Sequence, residues 1–139
     1  MLISREMDYA LRIIRALSQS NCSASRIAGQ EMISRSMALK VLNKLKKAGL
    51  VESARGQDGG YSLFHGWQEL TLYDLFMSLE DDLLLSRCMQ PGYQCECRPS
   101  GCTFCQELGR IQTVLHQELK RTPLKSILQK QSSPEGESS

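Results

Sequence analysis

Long apolar runs are missing from this chain of 139 residues. No stretch approaches the roughly 20 apolar residues that a membrane helix needs, so no membrane contact is expected. The opening MLISREMDYA lacks a basic region followed by an apolar run. That excludes a signal peptide and leads to the expectation of a cytoplasmic protein. Histidine is scarce: only His65 and His116 occur, one in a linker and one on a helix pattern, and neither is assigned a catalytic role. No nucleophile–base pairing and no phosphate-cradling glycine loop can be found, which speaks against an enzyme. Internal repeats are absent as well.

Cysteine, by contrast, is concentrated. Five of the six fall between Cys88 and Cys105, in the run CMQPGYQCECRPSGCTFC. Pro91, Gly92, Pro99 and Gly101 interrupt this segment, so most of it is neither helix nor regular strand. Such a loop has little apolar material to hold one conformation, and thiolates converging on a metal would replace the missing core. Without an export signal, the cysteines point to metal or redox chemistry over structural disulfides. The spacing Cys88-x6-Cys95-x1-Cys97-x4-Cys102-x2-Cys105 suits a four-thiolate zinc site and an iron–sulfur cluster about equally. A reversible thiol switch is the third reading. Cys22 lies far from the group and reads as structural.

Charge is unevenly spread under a net value of +2. Residues 34–55 carry Arg35, Lys40, Lys44, Lys46, Lys47 and Arg55 against the single acid Glu52. A local excess of this kind marks a polyanion-binding surface. Its plainer reading is a solvated helix face.

The periodicity around this segment is helical. Ser4 caps a helix running to about Ser20, with Met7, Ala10, Leu11, Ile14 and Leu17 inward and Glu6 favourable to the helix dipole. Asp8 and Arg12 stand one turn apart as an exposed ion pair. Ser23 or Ser25 opens a short helix over about 24–31, and Ser34 caps a third. There Ala38, Val41, Leu42 and Leu45 face the core, while Ser36, Lys40, Asn43, Lys44 and Lys47 face outward. Gly49 ends this helix in the left-handed conformation, with Leu50 folding back. The pattern is a helix-turn-helix.

Leu50–Ala54 and Tyr61–Phe64 then read as paired strands around Arg55-Gly56-Gln57-Asp58-Gly59-Gly60, a hairpin turn. A hairpin in this place is a wing, and Arg55 sits where a wing meets DNA. After a linker over His65–Leu70, Thr71 and Asp74 form a capping box that opens a helix with Leu72, Leu75, Phe76 and Leu79 inward. Glu80, Asp81 and Asp82 end that helix unfavourably for its dipole. Leu83, Leu84 and Leu85 dock the start of the cysteine loop.

A long helix follows Cys105 to about Arg121. Leu108, Ile111, Leu115 and Leu119 line one stripe, with Val114 beside it, which suits burial against a twin. Thr122-Pro123 opens a last short helix with proline at its first position. Residues 131–139 have no apolar side chain and are expected to be disordered. The fold class is therefore mainly α: a winged helix-turn-helix with a small β-hairpin wing, a cysteine-rich loop and a long C-terminal dimerisation helix. The expected organisation is a DNA-binding region over 1–66, a linking helix over 67–87, a cluster loop over 88–105, a dimerisation helix with a short terminal helix over 106–130, and a tail over 131–139.

Arg35, Ser36 and Lys40 occupy the first turns of the candidate recognition helix, the part that enters a major groove. Lys44, Lys46 and Lys47 lie further along, where they suit phosphates. Winged helices also serve as protein-interaction modules. A zinc- or disulfide-stabilised module, and a DNA regulator whose thiols sense oxidants without metal, are the competing readings.

The whole chain, over about residues 1–125, resembles the IscR/NsrR group of bacterial winged-helix regulators, the Rrf-two family. The likeness rests on MLIS…DYALRII, on ISRSMALKVLNKLKKAGLVESARGQDGGYSL, on LTLYDLFMSLE and on the cysteine loop. The run KKAGLVESARGQDGGYSL is its most specific part.

The resemblance implies a homodimer that binds a double-stranded DNA operator, most often as a repressor. Several members of the group carry an iron–sulfur cluster that senses iron–sulfur status, nitric oxide or redox state, and others carry none; for this chain the cysteine loop leads to the expectation of a cluster, 2Fe–2S or 4Fe–4S, with zinc as the alternative. The family's three loop cysteines match Cys88, Cys95 and Cys102. The position of a histidine ligand in IscR-type members is Cys105 here. An aspartate that reaches the cluster from the other subunit in NsrR-type members matches Asp8, and the arginine one turn later matches Arg12. The wing arginine matches Arg55, and recognition contacts fall near Ser36 and Lys40. Cys88, Cys95, Cys102 and Cys105 are thus the expected ligands, with Asp8 and Cys97 as alternatives for the fourth. The chain departs from the family by separating these cysteines by six residues instead of five, by the extra thiol Cys97, and by Asp58 in the wing turn.

Overall fold

The computed structural model describes residues 3–54, 60–79, 83–94 and 101–129. Helix α1 spans Arg5–Gln19 and is capped by Ser4, whose Oγ accepts from the Met7 amide at 3.1 Å. Its buried residues are Met7, Ala10, Ile13, Ile14, Ala16 and Leu17. Leu11, expected inward, is only half-buried, whereas Ile13 and Ala16 are buried. The buried face is wider than one stripe because α1 packs against three neighbours: the next two helices and the second wing strand.

Helix α2 covers Ala24–Glu31, and Ser23 caps it by accepting from the Arg26 amide at 3.2 Å. Met32 closes it in the left-handed conformation, φ 56°, with its side chain 87 % exposed. Helix α3 covers Arg35–Lys47 under the cap Ser34, which accepts from the Met37 amide at 3.1 Å. Ala38, Val41, Leu42 and Leu45 are buried, as their spacing predicts. Gly49 takes φ 78° and donates to the Lys46 carbonyl at 3.0 Å, while Leu50 donates to Leu45 at 2.9 Å. Only a residue without a side chain adopts this left-handed stop at little cost.

The wing is a two-stranded antiparallel sheet, β1 Val51–Ala54 and β2 Gly60–Leu63, in the register Val51↔Leu63 to Ala54↔Gly60. Its turn, with Arg55 and Asp58, lies outside the described residues. A third segment joins the sheet: Tyr61 donates to the Cys22 carbonyl at 2.7 Å and Cys22 donates back at 3.2 Å. The Cys22 side chain is buried, 3 % exposed, so its structural reading holds, and its backbone anchors the wing to the start of α2. This anchor explains Gly60. A Cβ there would meet the Cys22 carbonyl oxygen at 2.7 Å and its carbon at 2.9 Å.

The linker contains one 3-10 turn, Trp67–Glu69. The capping box is formed: the Thr71 amide donates to Asp74 Oδ2 at 3.1 Å and the Asp74 amide to Thr71 Oγ1 at 3.3 Å. Helix α4 spans Leu72–Leu79, with Leu75 and Phe76 buried and Leu72 and Leu79 packed at the core's edge. Glu80, Asp81 and Asp82 lie outside the described residues. After Leu83, which is buried, a short 3-10 turn over Arg87–Met89 leads into the cysteine loop.

Helix α5 spans Thr103–Leu119 and has no buried residue. Helix α6, Leu124–Gln129, returns to the linker: the Leu124 amide donates to the Leu70 carbonyl at 2.7 Å and the Leu124 side chain joins the core. Pro123 stands one position earlier than expected, before the helix and not in its first place. It pairs with Thr71 as an extended bridge, and its carbonyl accepts from Ile127 at 3.3 Å. The tail 131–139 lies outside the described residues.

Replacing Gly60 with Ala should detach β2 from Cys22 or displace both. The backbone cannot yield as a side chain can, so a cost of about 1–3 kcal/mol is expected. Chemical denaturation of the two proteins measures it, and an unchanged midpoint would refute the anchor.

Candidate nucleic-acid interface and cysteine loop

Two regions carry the predicted functional residues: the outer face of α3 and the approach to α5. On α3, Arg35, Ser36, Lys40, Asn43, Lys44, Lys46 and Lys47 are exposed. Their inward neighbours are all core residues, so burial of Ala38, Val41, Leu42 and Leu45 fixes the basic face outward. Arg35 is drawn across the helix-turn-helix, its Nε donating to Ser25 Oγ of α2 at 2.9 Å. The Ser36 hydroxyl lies 3.3 Å from that of Ser34.

Glu6 is the member that sequence reasoning missed. Lys40 Nζ lies 2.9 Å from Glu6 Oε1, and Lys44 Nζ pairs with Glu6 Oε2. Hydrogen bonds from Lys44 and then Lys40 hold the Glu6 carboxyl down to about 2, from an ordinary 4.5. Its position in the first turn of α1 suggested only a dipole contact, because nothing in the local pattern links it to residues so distant in sequence.

Asp8 pairs with Arg12 at 3.0 Å, as its spacing predicts. Arg12 also donates to the Glu31 carbonyl at 3.3 Å, and Arg15 pairs with the Glu31 carboxylate. These contacts lock the end of α2 to α1 and so set where the turn before α3 begins.

The cysteine loop is gripped from both ends. Ser86 Oγ accepts from the Cys88 amide at 3.4 Å and lies 3.2 Å from Cys88 Sγ. Cys105 Sγ lies 4.0 Å from the Cys88 carbonyl oxygen, across the mouth of the loop. The Ser86 hydroxyl, then the Cys105 thiol, hydrogen-bond the Cys88 sulfur and hold its pKa below the usual thiol value. Cys102 caps α5 without a side-chain bond, three residues before Cys105. The described residues therefore bring Cys88 and Cys105 together. No three of their His, Cys, Asp and Glu side chains gather into a metal-sized group, and Asp8 does not join the pair. Cys95 and Cys97 lie outside the described residues. Half-exposed sulfur donors, Cys88 before the loop and Cys102 and Cys105 at the N-terminus of α5, fit a thiolate-bound iron–sulfur group by their chemistry.

Helix α5 also holds the segment leading into the loop. The Leu85 amide donates to Gln112 Oε1 at 2.9 Å, and His116 Nε2 lies 3.0 Å from the Leu83 carbonyl oxygen. The His116 ring meets Tyr73 of α4 edge-on, centroids 5.2 Å apart, and Lys120 Nζ sits 4.4 Å over the same tyrosine. His116 is thus a structural tie.

A helix-turn-helix with a hairpin wing and an outward basic helix defines a winged-helix DNA-binding protein. The sequence matches the family described as "Rrf2: Iron-dependent Transcriptional regulator" over residues 3–130, and the chain belongs to that family. It is similar to the HTH-type transcriptional regulator NsrR of Oceanobacillus iheyensis, 28% identical over 133 residues that cover 92% of this chain and 90% of that protein. It is also similar to Protein aau3 of Rhizobium meliloti, 32% identical over 95 residues, where the match spans 66% of this chain but only 62% of that protein. Among solved structures, the chain resembles CymR (YrzC), the global cysteine regulator of B. subtilis. That likeness has a TM-score of 0.73 at 26% identity and covers 91% of this chain and 95% of that one. The protein is therefore a DNA-binding transcriptional regulator of the winged-helix type. Its family is one of transcriptional regulators, not of enzymes. No helix among the described residues is long and apolar enough to cross a membrane.

The Glu6 pairs give acid sensitivity a defined sign. A carboxyl whose folded pKa lies below its unfolded value stabilises the fold fully above the unfolded value and loses that contribution as pH falls through the folded one. Stability from Glu6 should therefore be complete above about pH 4.5 and decline towards pH 2. Glu6→Gln should flatten this part of the acid limb in thermal melts across that range, and an identical profile would contradict the pairing.

Proposed function

We propose that the protein is a homodimeric repressor, working in the cytoplasm, whose cysteine loop couples iron–sulfur, nitric oxide or redox status to operator binding. The observation that carries this reading is the contact of Cys88 with Cys105 at the N-terminus of α5, with the Cys88 thiol held below its usual pKa. The family's description as iron-dependent supports it.

Cys88, Cys95, Cys102 and Cys105 would hold the cluster, with Asp8 and Cys97 as the alternatives for the fourth position. When bound, an iron–sulfur cluster supplies a centre that changes charge, or is lost, with oxidants and nitric oxide. The chain's own residues do the rest. Ser86 and Cys105 hold Cys88 as the ligand-ready thiol. Gln112 and His116 fasten the segment before the loop to α5, so ordering the loop would order that helix against Leu83 and Leu85. If two copies pair along α5, its attitude sets the spacing of the two α3 helices, and a bistable joint of this kind converts a local change into altered DNA affinity.

On DNA, Ser36 and Lys40 in the first turns of α3 would meet base edges, with Arg35 beside them. Lys44, Lys46 and Lys47 would meet phosphates, and Arg55 would reach the groove from the wing. The exposed apolar side chains of α5 support the dimer: Phe104 is 79%, Ile111 40% and Val114 46% exposed, whereas Leu108, Leu115 and Leu119 of the same helix are half-buried against their own chain. The same Cys88–Cys105 contact favours one second reading, a metal-free regulator in which the two thiols sense oxidants directly. A zinc-holding interaction module is distinguished by metal content.

Single Ala substitutions, purified without oxygen and assayed for iron, sulfide and visible absorption, test the ligand set. Variants at Cys88, Cys95 and Cys102 should each lose the cluster, and Cys97→Ala should keep it. A Cys105→Ala protein with full iron and an unchanged spectrum would reject Cys105, and loss in Asp8→Ala would then point to ligation across the dimer. Colourless parent protein with one zinc per chain would support the module, and colourless protein without metal the thiol switch.

Light scattering at micromolar concentration should give the mass of a dimer, and Ile111→Glu should shift it towards a monomer. A parent protein that is monomeric and folded would remove the α5 interface.

A further inference from the structure

Lys40 and Lys44 stand one turn apart on the outer face of α3, and both reach back to the same carboxylate. Lys40 takes one oxygen of Glu6 at 2.9 Å and Lys44 takes the other. A carboxylate that offers one oxygen to each of two ammonium groups presents what a DNA phosphate presents: two anionic oxygens sharing unit charge. We propose that Glu6 is an internal stand-in for a backbone phosphate, which Lys40 and Lys44 must exchange for DNA, so that Glu6 sets the affinity and salt dependence of binding.

The inference rests on the reading that the α3 lysines face DNA. Glu6 sits in the first turn of α1, and α1 is fixed by its buried face, so the carboxylate cannot withdraw far when DNA arrives. It lowers the local charge of the two lysines from +2 to +1 and adds a repulsion to any incoming phosphate. The pairs are solvent-accessible, with the Lys40 and Lys44 side chains 59% and 48% exposed, so they are weak enough to exchange. Lys46 and Lys47 form no ion pair among the described residues. DNA that meets α3 beyond those two cations must take Lys40 and Lys44 from Glu6, so Glu6 weakens binding to DNA of any sequence that reaches this face.

The test uses the full chain and a labelled duplex of random sequence, titrated at several salt concentrations. Glu6→Gln keeps the side chain's size and removes its charge. It should tighten binding roughly fivefold at low salt, the worth of one unit charge at about 4 Å in water. It should also steepen the slope of log K against log salt by about 0.9, one further phosphate neutralised. Glu6→Asp, which keeps the charge but draws it back by one methylene, should fall between the two, and it carries the test if Glu6→Gln melts too early to be measured. Lys47→Ala, which leaves the Glu6 pairs intact, should flatten the slope by about 0.9. If Lys47→Ala weakens binding while the Glu6 variants match the parent in affinity and slope, Glu6 is only a brace between α1 and α3 and the proposal is overturned. If Lys47→Ala also changes nothing, the α3 face does not meet DNA and the proposal falls with that reading.

Discussion

The burial of α1 from three sides is the constraint on which the other elements depend. Six of its residues are buried, four of them small or β-branched (Ala10, Ile13, Ile14, Ala16), which lets α2, α3 and the wing approach closely. Each large side chain so buried is worth about 1.5–3 kcal/mol relative to exposure, before the entropy of ordering is set against it. The polar edge of the same helix then fixes orientation. Glu6 reaches α3, Arg12 and Arg15 reach Glu31 at the end of α2, and both neighbours of the helix-turn-helix are registered on a single beam. The direction in which α3 faces solvent is a consequence of α1 as much as of its own pattern.

Local chemistry made most of this fold legible in the sequence. Ser4, Ser23 and Ser34 each cap a helix because a short hydroxyl side chain can satisfy an orphan amide, and that is a rule about three or four adjacent residues. Gly49 and the Thr71–Asp74 box are equally local. The pairing of Cys22 with Tyr61 was not legible, since one residue joining a sheet has no alternation to betray it. Ile13 and Ala16 were missed because a helix surrounded on three sides has no single stripe. In the candidate site, the crowding of the cysteines marked out the loop, but the grip of Ser86, Gln112 and His116 on its approach was silent. Bonds from side chains to a distant backbone depend on tertiary placement and leave no periodic trace.

The two ends of the molecule are built on different principles. The winged-helix part is held by apolar burial shared among α1, α2, α3, α4 and α6. Helix α5 is held by a few directed contacts: Gln112 to Leu85, His116 to Leu83 and Tyr73, and Leu119 at the edge of the core. A packed core resists small displacements as a unit, whereas a helix attached at discrete polar points can pivot when one of them changes. The cysteine loop leads into this helix, so chemically changeable residues stand next to its few directed contacts.

The seat of Cys22 also separates the cysteines into two classes of reactivity. Its thiol is enclosed and its backbone is stitched to the wing, whereas Cys88 and Cys102 are reachable by solvent. An alkylating reagent meets the loop first, and it meets Cys22 only in molecules whose wing has parted from the start of α2. Labelling of that one sulfur would then time the parting of the wing from the start of α2, independent of any ligand at the loop.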